Sequence, residues 1–151
     1  MATQRDNPYG NFNFEVDFLT GDQKTNRGGF QEVTGMNIEV TSADYRAGNS
    51  QKNHSIKVNG VYKVGDVTFK RGLIGSLDLY TWLDSIRSGD HTVVRTVHVY
   101  LMDEAHNGPV MTWHLLNARP LKYTVPAFNA KTGTDVAIEE LVLSIEDLSI
   151  E

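Results

Sequence analysis

Cysteine is absent from the 151 residues, which excludes disulfides, thiolate nucleophiles and cysteine-ligated metals together. No apolar run is long enough to span a bilayer, and the opening Met1-Ala-Thr-Gln-Arg-Asp-Asn-Pro8 lacks the apolar core of a secretory signal. The expectation is a chain that stays in the cytoplasm after synthesis. A basic excess is missing too: the net charge is -5 and the pI near 5.5, against a free-standing nucleic-acid binder, which neutralises phosphates with clustered Lys and Arg. Phosphate-cradling motifs do not occur, and Ala130-Lys-Thr-Gly-Thr134 reads as a turn. Ser76 follows Gly75 without the second glycine of a nucleophile elbow. What remains is an ordinary globular composition, 40% hydrophobic and 22% charged with 13 Gly, sized for one domain over 1–151 that buries about 70% of its unfolded surface.

Apolar residues recur with a period of two. Phe12, Phe14, Val16 and Phe18 alternate with Asn13, Glu15 and Asp17, and the same pattern returns at Ile38 and Val40, Val67 and Phe69, Val97 to Leu101, and Met111 to Leu115. Each predicts a strand with one buried and one wet face. Asn107-Gly108 between two such runs predicts a hairpin turn. In the last segment Val136 and Ile138 point one way, Leu141, Leu143 and Ile145 the other, and Leu148 and Ile150 switch back. Each slip of phase needs a bulge or a bend, as in a strand that wraps a barrel or changes sheets.

One helix interrupts the strands. Leu79, Trp82, Leu83 and Ile86 fall at i, i+3, i+4 and i+7 and form one apolar stripe meant for the sheet, with Ser76 as N-cap, Asp78 and Arg87 matched to the dipole, and Gly89 at the end. From Ser42 to Val64 the chain turns polar and glycine-rich, recovering only at Ile56, Val58 and Val61. An irregular segment of that length is expected to be functional, here an assembly loop that becomes ordered between neighbours. The fold expected from periodicity is a mainly β, antiparallel sandwich or flattened barrel with one packed helix.

Candidate chemistry is sparse. A hairpin centred near His106 brings His98 and His114 opposite each other, but a metal site needs three or four ligands, and only Asp103, Glu104 and His106 are further candidates. Adjacent Glu139 and Glu140 point to opposite faces of a strand and are expected as surface charges, or with one at a bulge. Charge is segregated: Arg46, Lys52, Lys57, Lys63, Lys70 and Arg71 are opposed within that stretch only by Asp66, whereas Asp135, Glu139, Glu140, Glu146, Asp147 and Glu151 make the C-terminal segment wholly acidic. These are two solvated faces in a monomer; in a self-assembling chain, Arg46, Lys52, Lys57 and Lys63 would meet Glu139, Glu140, Glu146 or Asp147 of another copy.

Five stretches together carry a family resemblance: Asn7-Pro-Tyr-Gly-Asn-Phe-Asn-Phe14, Gly29-Phe-Gln-Glu-Val-Thr-Gly-Met36, Val67-Thr-Phe-Lys-Arg-Gly72, Arg95-Thr-Val-His-Val-Tyr-Leu-Met-Asp-Glu104 and Asp135-Val-Ala-Ile-Glu-Glu-Leu-Val-Leu143. The chain resembles the inner-tube proteins of contractile phage tails and phage-tail-like injection systems over its whole length. That resemblance implies a non-enzymatic subunit without cofactors, stacked as hexameric rings into a conduit for DNA or effector proteins. It also implies a contractile sheath and a baseplate or spike as partners, assembly in the bacterial cytoplasm, and a long loop that grips adjacent subunits. Two alternatives stand beside it: a tube-initiating baseplate subunit of the same machine, and an unrelated β-sandwich binding module or small enzyme.

Overall fold

Most of the alternating runs become strands, and the ladders between them are antiparallel. The computed structural model describes residues 2–18, 27–131 and 133–151; Thr132, within the stretch read as a turn, lies outside them. The strands are β1 (Phe14–Asp17), β2 (Arg27–Gly28), β3 (Glu32–Thr34), β4 (Ile38–Tyr45), β5 (Ile56–Val64), β6 (Val67–Gly72), β7 (Arg95–Met102), β8 (Pro109–Thr124), β9 (Ile138–Ser144) and β10 (Asp147–Ile150), and the helix α1 spans Asp78–Arg87. The main sheet runs β2-β1-β7-β8-β9-β6-β3 with β10 also on β8, and β4-β5 form a separate two-stranded ribbon. Phe12 does not extend β1. It is two-thirds exposed, and its ring lies so close to Gly10 that a Cβ there would meet it at 2.4 Å.

β8 is the corner of the fold. Its first half pairs with β7 and β10, its second half with β9. Between the halves Asn117 adopts φ 53°, its amide donates to Glu146 Oε2 at 2.8 Å, and the Glu146 N–H reaches Leu116 O at 3.0 Å. Pro120 has no N–H to give, and the β8–β9 register shifts just after it. Of the two phase slips expected in the C-terminal segment, the second sits here: Leu141, Leu143 and Ile145 are buried in one phase and Leu148 in the other. The first, between Ile138 and Leu141, does not occur, because β9 pairs with β6 without a shift of register and position 139 takes the inward phase.

The two halves wrap one core. Phe18, Phe30 and Phe69 lie with ring centroids 5.4–5.6 Å apart, and Phe18 meets Trp82 edge-on at 5.9 Å, the tilted geometries that aromatic quadrupoles prefer. Among the described residues the sheet does not close by hydrogen bonds. Between β3 and the β1–β7 side lies a cleft of about 360 Å³, lined by Phe14, Val33, Met36, Val99, Leu101 and Trp113, so the barrel is flattened and open along one seam.

Helix α1 covers the core with Leu79 and Trp82, which are buried, while Leu83 and Ile86 at the stripe's edges are only half-buried. Ser76 is not the N-cap. Leu77 holds that position without a side-chain cap, because the Ser76 hydroxyl donates to Asp78 Oδ1 at 2.9 Å instead. Gly89 ends the helix at φ 105° as expected, with its N–H on Ile86 O at 3.0 Å. Trp82 is 1% exposed, donates its indole N–H to Val93 O at 3.2 Å and lies under the Arg95 guanidinium at 4.5 Å. Trp82→Ala is expected to cost about 3–5 kcal/mol through lost burial and a residual cavity. A denaturant midpoint that does not move would contradict this packing.

Candidate assembly surfaces

The segment read as an irregular loop is mostly a β-ribbon. Residues 46–55 form its loop; Ile38–Tyr45 and Ile56–Val64 pair along its length. The expected disorder is thus replaced by two strands that stand clear of the main sheet. The apolar pattern of one strand slips phase and that of the other does not. In Ile38-Glu-Val-Thr-Ser-Ala-Asp-Tyr45 the apolar positions jump from Val40 to Ala43, whereas in Ile56-Lys-Val-Asn-Gly-Val-Tyr-Lys-Val64 the residues Ile56, Val58, Tyr62 and Val64 keep one phase.

The register explains the slip. Val40 pairs Tyr62 and Ser42 pairs Asn59, so Gly60 and Val61 together oppose Thr41, a β-bulge. Gly60 is required there: an added Cβ would meet Thr41 Oγ1 at 2.8 Å, and that hydroxyl donates to Val61 O at 2.7 Å. Below the bulge one face carries Ile38, Val40, Tyr62 and Val64. Above it, that same face carries Ser42, Asp44, Lys57 and Asn59, and the opposite face carries Ala43, Tyr45, Ile56 and Val58. The ribbon therefore has two apolar half-faces that look in opposite directions.

The lower half-face touches the body at one end, while Ile38, Val40 and Tyr62 keep 48–57% of their surface. Val64 packs against the core, and the Tyr62 hydroxyl bonds Asp147, a contact that heads the causes raising its pKa. The upper half-face is exposed to the same degree: Tyr45, Ile56 and Val58 keep 49–59% of their surface. A second exposed apolar patch lies at the other end of β6, where Leu73, Ile74 and Leu77 leave the strand and Val125, Phe128 and Val136 flank β8 and β9.

The basic candidates are largely engaged locally. Arg46 donates to Lys52 O at 3.1 Å and Ser50 O at 3.3 Å, bracing the loop. Lys57 bonds Asp44 at 2.8 Å, and Lys63 stands opposite Glu39. Among the acids, Glu146 bonds Asn117 and lies 3.5 Å from Arg119, and Glu140 is half-buried.

Glu139 is not a surface charge. It is 1% exposed and faces the interior beside Arg71, itself 3% exposed, because both share the inward phase of Leu141 and Phe69 and pair across β6–β9. Arg71 Nε donates to Glu139 Oε1, its terminal nitrogens grip Asp78 at 2.5 and 3.2 Å, and the Tyr123 hydroxyl donates to Glu139 Oε2 at 2.5 Å. Burial first, then that bond to Glu139, pushes the Tyr123 hydroxyl up to about 12. For Asp78, burial alone would raise the pKa, but hydrogen bonds from Arg71 and Ser76 outweigh it and hold the carboxyl below its ordinary 3.8. Its stabilising share is complete above about pH 4 and is lost as pH falls through the lower, folded value.

The histidine pair forms as expected. His98 and His114 are register partners, with their Nδ1 atoms 2.6 Å apart, and His114 Nε2 lies 3.0 Å from Glu151 Oε2. Among the described residues no third His, Asp or Glu joins them in a group able to hold a metal ion.

The family model described as T4-like virus tail tube protein gp19 matches residues 10–149. The chain belongs to that tail tube family. No curated protein matches it in sequence. This tail tube family member shares 25% identity with a chain of the PVC sheath-tube complex of an extracellular contractile injection system in its extended state, at TM-score 0.82, covering 95% of this chain and 91% of that one. A chain of the anti-feeding prophage baseplate has the same fold at TM-score 0.84, 22% identity and 97% coverage of both chains. Hcp1 from Flavobacterium johnsoniae is a more distant likeness, with TM-score 0.53, 14% identity, and coverage of 91% and 93%.

Removing Arg71 leaves the Glu139 carboxylate buried without its cation, a loss of about 3–5 kcal/mol. Arg71→Met combined with Glu139→Leu is expected to restore most of it. Chemical denaturation of the two variants checks this, and equal instability of both would contradict the pairing.

Proposed function

We propose that this chain is the inner-tube subunit of a contractile injection system or phage tail, stacking as hexameric rings into a hollow conduit. The β4–β5 ribbon carries the reading. A lone two-stranded hairpin is marginally stable in water, and this one leaves both apolar half-faces largely uncovered. In a chain of the tail tube family, a neighbouring copy is the natural cover, and the Leu73–Phe128–Val136 patch at the opposite end of β6 suits it. One surface meeting a different surface of an identical chain is a heterologous contact, which closes into rings or continues into filaments.

The subunit works by assembly, with sheath and baseplate or spike proteins as outer and end partners and protein or DNA as cargo. It assembles in the bacterial cytoplasm and then forms part of a tail or tail-like particle. The likeness to the anti-feeding prophage baseplate chain favours one second reading, a tube-initiating subunit that forms a single ring. Ionic matching adds polarity: Lys52 at the ribbon's loop, with Arg46, Lys57 and Lys63 behind it, faces Glu140, Glu146 and Asp147 of another copy, at about 0–1 kcal/mol per exposed pair. Glu139, being buried, takes no part.

Negative-stain microscopy of the purified protein separates the readings: long tubes support the tube subunit, isolated rings the initiator, and monomers neither. Val58→Asp is expected to change the subunit's own stability by less than about 0.5 kcal/mol, because the residue is exposed, yet to abolish tubes. Intact tubes from that variant would remove the ribbon from the interface.

Ionic matching has its own test. Tubes are expected to shorten as salt rises past about 0.1 M, where the Debye length nears 10 Å, and Lys52→Glu to shorten them further at low salt. Tubes that lengthen in salt would leave apolar contact as the sole driving force.

A further inference from the structure

The pair of imidazoles across β7 and β8 stands apart from the ribbon and from the buried Arg71 network. Its contact is short and specific, 2.6 Å between the two Nδ1 atoms with the rings at 88°. Such a contact requires a hydrogen on one nitrogen and a lone pair on the other. Glu151 decides how these are shared. Its carboxylate accepts from His114 Nε2 at 3.0 Å, so that nitrogen carries a hydrogen. If His114 is neutral, its Nδ1 is bare and His98 Nδ1 donates. If His114 gains a proton, its Nδ1 donates instead and His98 offers the lone pair. The same geometry therefore serves the pair with no added proton and with one. A second added proton places two N–H groups head to head, and the contact fails.

We propose that His98 and His114 act as one proton-coupled unit, a switch on the sheet's outer face that keeps its closed geometry with one added proton and is forced open by the second. Its surroundings shape the response. On β1, Asp17 is the register partner of His98, and Glu15 stands opposite Tyr100 of β7, whose ring lies 6.0 Å from His98. On the other side, Glu151 follows the end of β10 and is held to Thr112 by backbone bonds of 2.8 and 2.9 Å. On β2 the register partner of Asp17 is Arg27. The first proton thus strengthens the His114–Glu151 contact and ties down the C-terminal strand. The second drives His98 away from His114, toward the Asp17 side.

The sign agrees with the geometry. Partial burial first, and the neighbouring His114 second, lower the pKa of His98 from 6.5, with Asp17 opposing them. A base whose folded value is depressed costs no stability above its unfolded value; stability falls as pH drops from about 6.5 through the folded value. The face therefore stays closed at neutral pH and loosens in mild acid.

Histidine hydrogen–deuterium exchange by mass spectrometry, run across pH 4 to 8 on the purified protein in whatever assembled state it adopts, reads each imidazole separately. The His98 profile is expected to show two coupled steps rather than one. In His114→Gln, His98 is expected to follow a single step with its protonation constant raised about tenfold, one pH unit, and acid-induced amide exchange in β7 and β8 to be lost. If that variant fails to fold, the wild-type profile decides alone. Two independent single steps at ordinary histidine values would overturn the proposal, as would a His98 titration that the His114 change leaves unmoved.

Discussion

Backbone hydrogen bonding along β8 is the constraint on which the fold turns. A sixteen-residue strand flanked on both edges must find a partner for nearly every N–H and C=O, and β8 does so by exchanging β10 for β9 midway. The exchange is possible because the Asn117 amide and the Glu146 N–H fill the gap, and because Pro120, at the shift of register, brings no N–H that needs a partner. Placement of side chains follows from that corner. It aligns His114 with His98, puts Trp113 into the open seam, and carries Tyr123 to the buried carboxylate of Glu139.

Much of this architecture is legible in single-sequence periodicity. Alternation marks most of the strands, Asn107-Gly108 marks the hairpin, and the slip between Ile145 and Leu148 marks the bend, since each reflects a side-chain period that the chain cannot hide. The ribbon was less legible because its polar residues and glycines resemble a loop. Its signal is nevertheless present: the apolar pattern of β4 slips phase after Val40, and Gly60 marks the matching bulge in β5. Composition measures average polarity, whereas a two-faced strand is polar on average and ordered in detail.

Glu139 departs from its expected place for a related reason. Charge suggests surface, but the residue shares its phase with Leu141 and Leu143, and Arg71 shares its phase with Val67 and Phe69. Two opposite charges standing inward on strands that pair is a pattern visible in sequence once the pairing of β6 with β9 is assumed. Ser76 could not have been read so easily. Its hydroxyl has two acceptable uses, capping or supporting Asp78, and only the approach of Arg71 from another strand favours the second.

The buried ion pair also constrains how such a chain drifts over generations. Altering Arg71 alone strands a carboxylate in a dry interior, and altering Glu139 alone strands a guanidinium, so either single step crosses a fitness valley several kcal/mol deep. Lineages descending from one ancestor are expected to keep both residues or to exchange both, with position 123 following because its hydroxyl binds the same carboxylate. Position 78 is freer, since nearly half of its side chain reaches solvent. Paired substitution at 71 and 139 would thus leave a covariation signal across β6 and β9, a historical trace of an electrostatic contact that neither position records alone.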